Sequence, residues 1–121
     1  ASMWRPFHMI GLETNTSIMS AVLRKEPTGA SRLWNADAVA TAKRDLAAGE
    51  ILDGEGGFCV WAKAIPARLS EKKGALPIGL AHNVKLKNPV MKDEIIKIRD
   101  VELFEVDDII SIRTKMKPLL M

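Results

Sequence analysis

Lys43-Arg44-Asp45-Leu46-Ala47-Ala48-Gly49-Glu50-Ile51-Leu52 decides how this chain is read, because it returns 44 positions later as Lys87-Asn88-Pro89-Val90-Met91-Lys92-Asp93-Glu94-Ile95-Ile96. The lysine, the glutamate and the isoleucine coincide, Leu46 matches Val90, and Leu52 matches Ile96. Each copy reads as a strand, an apolar plug, a tight turn and a returning strand. Ala48-Gly49 supplies the first turn and Met91-Lys92-Asp93 the second. Two such units in one short chain predict a fold made mainly of short strands.

The flanking segments agree with that reading. Asp37 to Lys43 lacks helical periodicity and leads into the first unit as a strand. Asp53-Gly54-Glu55-Gly56-Gly57 holds three of the eight glycines, a mobile or tightly bent loop of the kind that lines sites. A strand from Phe58 to Ile65 follows and ends at Pro66, and Ala67 to Lys72 forms a short surface helix that Gly74 and Pro77 stop. Val84-Lys85-Leu86-Lys87 alternates as a strand with both lysines toward solvent, and Glu94 to Ile98 is a β-branched strand. A helix is expected at each end. Ile18, Met19, Val22 and Leu23 share one face of a helix from Thr14 to Lys25, which Glu26-Pro27-Thr28-Gly29 terminates. Asp107 and Asp108 open a second helix carrying Ile109, Ile110, Ile112 and Met116, with Arg113, Lys115 and Lys117 toward its end.

Composition sets the outer limits. A chain of 121 residues with 47% hydrophobic and 27% charged residues suits one ordinary globular core. The net charge of +3 arises from interleaved acidic and basic residues, and tyrosine is absent. A nucleic-acid partner needs a concentrated basic stripe and stacking aromatics, so none is expected. One cysteine and two histidines exclude an internal disulfide framework and leave too few soft ligands for structural zinc. No apolar run reaches the ~18 residues of a membrane span, and the first residues lack the layout of a signal peptide. The reading is therefore cytoplasmic, without a membrane.

The first unit, with Pro77-Ile78-Gly79-Leu80-Ala81 and Asp100-Val101-Glu102-Leu103 downstream, resembles the SAF superfamily, whose members share a β-clip fold. The likeness covers roughly residues 36 to 104. The preceding stretch, Arg5-Pro6-Phe7-His8-Met9-Ile10-Gly11-Leu12-Glu13-Thr14 and then Glu26-Pro27-Thr28-Gly29-Ala30, looks like the junction in oxidoreductases that carry a homoserine-dehydrogenase-like Rossmann domain, a catalytic domain and a SAF-like tail. The deoxyxylulose-phosphate reductoisomerase-like family is the nearest match; its members use NADPH and a divalent metal to make methylerythritol phosphate for isoprenoid synthesis.

That resemblance implies a β-clip domain at 36–121 with flanking amino- and carboxy-terminal helices, after a junction segment at 1–35 left from the catalytic domain. It implies an accessory part of an NAD(P)H-dependent oxidoreductase, inactive alone, with the Rossmann and catalytic domains as partners and a homo-oligomer as a further option. No glycine-rich phosphate loop follows a strand, so no cofactor is expected on this chain, no metal either, and no catalytic residue. The alternatives are a free-standing module that binds a sugar or sugar acid, and an oligomerisation domain.

Candidate substrate contacts are Arg5, His8 and Glu13, which suit a phosphate or carboxylate and a proton exchange, or else a buried junction. His82 and Asn83, after Gly79-Leu80-Ala81, present side chains to a ligand or serve the fold. Lys72 and Lys73, with Arg68, attract a phosphorylated substrate or form a solvated face beside Glu71. Cys59 has no histidine or basic neighbour in sequence and reads as core. Met116, Leu119, Leu120 and Met121 form an apolar tail that packs on this domain or on a partner.

Overall fold

A computed structural model describes residues 11, 14–30, 32–102 and 108–120. The chain separates into two compact units, Ala1–Arg32 and Leu33–Met121. Strand and helix take near-equal shares of the described residues, with antiparallel strands throughout and helices toward both ends. The expectation of a mainly β chain is thus met only as a mixed fold.

In the first unit, α1 (Thr14–Met19) continues into a π-helical turn, Ser20–Arg24, closed by Lys25 in the left-handed conformation at φ 60°. Glu26 donates its N–H back to the Ser20 carbonyl, and Ser17 and Thr28 share a hydroxyl hydrogen bond of 3.2 Å. The apolar face read from the sequence is present, yet Ile18, Met19, Val22 and Leu23 are all exposed, by 52 to 68%.

The second unit starts from β1 (Ala36–Ala42), paired antiparallel over its whole length with β3 (Val60–Pro66). Between them lies β2 (Ile51–Asp53), which joins β4 (His82–Leu86) and β5 (Val101–Glu102) in a three-stranded antiparallel sheet. The helix α2 (Ala67–Lys73) follows β3 and ends at Gly74, whose φ of 60° reverses the chain. Helix α3 (Asp108–Lys115) and a short 3-10 turn close the described chain.

The ten-residue echo is a physical pseudo-two-fold. Leu46 donates its N–H to the Val90 carbonyl at 2.8 Å and Val90 returns the bond to Leu46 at 3.0 Å, so the two plugs pair with each other. Around that pair the bonds repeat with the same offset. Ala42 donates to Glu94 as Leu86 donates to Glu50, and Asp93 donates to Ala42 as Gly49 donates to Leu86. The seventh residue of each copy has a positive φ: Gly49 at 86° and Asp93 at 67°. Each glutamate caps its own turn, Glu50 accepting the Ala47 N–H and Glu94 the Met91 N–H. A two-sided arrangement of this kind buries both plugs and one residue after each turn at once: Leu46 and Val90 are 2% and 4% exposed, Leu52 and Ile96 not at all. The core is completed by aliphatic neighbours such as Val60, Leu76 and Leu86.

One expected strand does not form. Glu94 to Ile98 makes isolated bridges, Thr41 with Ile95 and Ala75 with Lys97, and enters a 3-10 turn at Ile98–Asp100. The cause is divided pairing. Ile96 donates to Ala40 of β1 while its carbonyl accepts from Leu76, and Ile98 donates to Gly74, so no single neighbour runs alongside. The carboxy-terminal tail does pack on its own unit: Trp34 donates to the Leu119 carbonyl at 2.9 Å and bridges Leu120. Met121 lies outside the described residues.

Candidate functional site

The glycine loop after β2 is tightly bent and tied on several sides. The Asp53 carboxylate accepts the N–H groups of Phe58 and Cys59, the latter at 3.0 Å, and so folds the loop across itself. A side chain at Gly57 would run into that carboxylate, which explains the glycine there. The Lys43 ammonium donates to the Gly57 carbonyl. Phe58 is held at the rim of this ordered loop with 86% of its surface exposed.

His82 closes the other side. Its Nδ1 lies 3.2 Å from the Asp53 carbonyl, and a Cβ on Gly54 would sit 2.6 Å from the same nitrogen. The loop and the histidine, 29 positions apart in sequence, are therefore neighbours. Asn83 beside it has φ 55° and stands where the β2–β4 register slips between Ile51–Lys85 and Asp53–His82. Asparagine tolerates that backbone better than most residues, and the bulge turns His82 over the loop. Both residues belong to β4 rather than to the preceding loop, and both are exposed.

Behind the loop lies a polar cluster. Arg44 pairs with Glu50, and its guanidinium also lies 3.5 Å from the Cys59 sulfur. The hydrogen bond from Arg44 holds the Glu50 carboxyl below its ordinary range, against a smaller upward push from burial. For Asp53, burial raises the carboxyl, but the Phe58 and Cys59 amides and the thiol together outweigh it and leave it low. Cys59 is 5% exposed, and burial with the charge of Asp53 pushes its thiol up. A protonated buried thiol is a poor nucleophile. The arginine beside it is invisible in the local sequence, yet the outcome is still core.

Arg5, His8 and Glu13 lie outside the described residues. Lys72 and Lys73 end α2 and line an open groove, whereas Arg68 does not line it. Among the described residues no group of three or more His, Cys, Asp or Glu side chains is arranged to hold a metal ion, and no described helix is long and apolar enough to cross a membrane.

A second cluster escapes sequence reasoning. Asp37 of β1 pairs with Arg113 of α3 and accepts the Ser70 hydroxyl of α2, while the Arg113 guanidinium lies 4.7 Å from the centre of the Trp34 ring. The carboxylate and guanidinium are 9% and 20% exposed, so each depends on the other for solvation. These contacts dock α3 on the sheet. The partners stand 33 and 76 positions from Asp37, and no local pattern marks them.

Neither the models of known protein families nor the curated proteins offer a match for this chain.

Proposed function

We propose that residues 36–121 form a SAF-type β-clip module serving as the carboxy-terminal accessory domain of an NAD(P)H-dependent oxidoreductase. The parent enzyme is reductoisomerase-like, acts on a sugar phosphate with NADPH and a divalent metal, and supplies isoprenoid precursors. The reciprocal pairing of Leu46 with Val90 across two equivalent turns carries this reading, because a clip of two interlocked strand–turn–strand units is what the resemblance implies. The exposed apolar face of α1 supports it as well. A face of that kind suits a junction helix packed against the preceding catalytic domain. Hydride transfer resides in the cofactor and its own domain, and the module here shields substrate or supports the fold in the cytoplasm.

The test follows NADPH consumption with deoxyxylulose phosphate and a divalent metal, in the longer protein with and without residues 36–121 and in the 121-residue chain alone. Consumption by the intact longer protein only is expected. Turnover by the short chain, or no cofactor dependence in the longer one, rejects the reading.

A second reading is a sugar or sugar-acid binding module, favoured by the apposition of His82 and the Asp53–Gly57 loop. Calorimetry with polyols and sugar phosphates separates the two: heat that His82→Ala abolishes supports the module, and no heat removes it.

A further inference from the structure

We infer that the groove between the end of α2, β3 and the second turn is a binding site for a small, multiply charged phosphate ligand, with a diphosphate group as the recognised element. The open groove has a volume of about 1150 Å³, room enough for a small-molecule ligand. Five cations from three separate parts of the chain converge on it: Lys63 of β3, Lys72 and Lys73 of α2, and Lys97 with Arg99 before β5.

The same walls carry four carboxylates, Glu71, Asp93, Glu94 and Asp100. Glu71 pairs with Lys117 at 2.9 Å, Asp100 pairs with Arg99 at 3.8 Å and accepts the Lys97 N–H, and Glu94 accepts the Met91 N–H. Among the described residues no carboxylate stands within 4.0 Å of the ammonium groups of Lys63, Lys72 or Lys73. Lysines at a helix end complement its dipole, which accounts for Lys72 and Lys73 but not for Lys63, a strand residue facing the same space. Unpaired ammonium groups around a concavity raise the local concentration of anions, and lysine binds phosphate as a point charge without demanding one geometry. Cations contributed from several walls favour a ligand with more than one charged group over a single phosphate.

The pseudo-two-fold sharpens the point. In the first half, Arg44 fills the place beside Glu50; at the equivalent position in the second half stands Asn88, and Glu94 keeps no arginine partner. Glu50 thus lies against the protein's own half-exposed cation, whereas Glu94 lines the groove without one.

The experiment titrates the 121-residue chain with inorganic phosphate, inorganic pyrophosphate and ADP, following backbone amide shifts and calorimetric heat at low and moderate salt. Pyrophosphate should bind more tightly than phosphate, move amides around Gly74 and Asp93 to Arg99, and weaken as salt rises. Lys72→Gln with Lys73→Gln should lose about tenfold in affinity, and Lys63→Gln alone a smaller factor, with melting unchanged. Lys85→Gln with Lys87→Gln, outside the groove, should bind as the parent does. ADP binding much more tightly than pyrophosphate assigns the ligand to nucleotides; equal binding assigns it to the free anion. The inference is overturned if pyrophosphate fails to bind at millimolar concentration, if the groove variants bind normally, or if the outside pair weakens binding equally.

Discussion

The two halves of the pseudo-two-fold share a backbone and differ in what surrounds it. The first turn is enclosed by Arg44, Glu50, Asp53 and Cys59, with the glycine loop folded over them. The second has the glutamate cap on its own turn, Glu94 to Met91, and the Asp45 carboxylate accepting the Lys92 N–H at 2.8 Å, with Asn88 and Pro89 in place of Arg44 and Asp45. The shared part, the paired plugs and the buried Leu52 and Ile96 after each turn, is what the fold requires.

The largest effects should come from the shared part. Leu52→Ala and Ile96→Ala each empty a fully buried position and should cost about 2–5 kcal/mol in urea unfolding, with values close to one another. Ile51→Ala, at a site 61% exposed, should stay within about 0.5 kcal/mol. A cost at Ile96 far below that at Leu52 would break the equivalence of the halves.

Next comes the loop that only the first half has. Gly57→Ala pushes a methyl group into the Asp53 carboxylate and should cost about 1–3 kcal/mol by thermal unfolding. No counterpart exists around Asp93, where Asp93→Gly should be neutral or slightly stabilising, because the residue already has a positive φ.

Acid should discriminate the halves more gently. Glu50 and Asp53 are held below their ordinary carboxyl range in the folded chain. Their contribution is therefore present above the unfolded carboxylate values, near pH 4, and is lost as the pH falls through the lower folded values. Glu50→Gln should flatten the fall of the melting temperature in that window more than Glu94→Gln does. Equal flattening would place the acid sensitivity elsewhere.

The smallest effect concerns Asn88→Arg, which restores to the second half the arginine of the first. Stability should change by no more than about 0.5 kcal/mol, while pyrophosphate binding changes measurably in the amide titration, since the new side chain enters the vicinity of Glu94. An unaltered titration would separate Glu94 from the groove's ligand.

Much of the pseudo-two-fold could be read from residues alone, because its signal is local: the echo places a plug, a turn and a returning segment within ten positions, and Gly49 and Pro66 punctuate it. The strand expected at Glu94–Ile98 failed because β-branched composition reports a preference for extended backbone, not which neighbour will pair with it. The binding-module alternative put His82 and the Asp53–Gly57 loop on one concave face as residue types; the contact itself, and the bulge at Asn83 beside it, is a matter of register. The Asp37–Ser70–Arg113–Trp34 cluster was out of reach for the same reason, and although Lys72 and Lys73 stood out as a pair, their meeting with Lys63, Lys97 and Arg99 was not legible, since both groups gather side chains from several elements.

The most direct test of the interlocked halves is native-state hydrogen exchange at the amides of Leu46 and Val90. Each donates to the other's carbonyl, so both should exchange only through global unfolding, with one shared opening free energy that Leu52→Ala lowers equally at the two sites. Exchange at Val90 faster by about tenfold or more, a gap of about 1.4 kcal/mol, would mean that the second half opens on its own and that the two halves are not one cooperative unit.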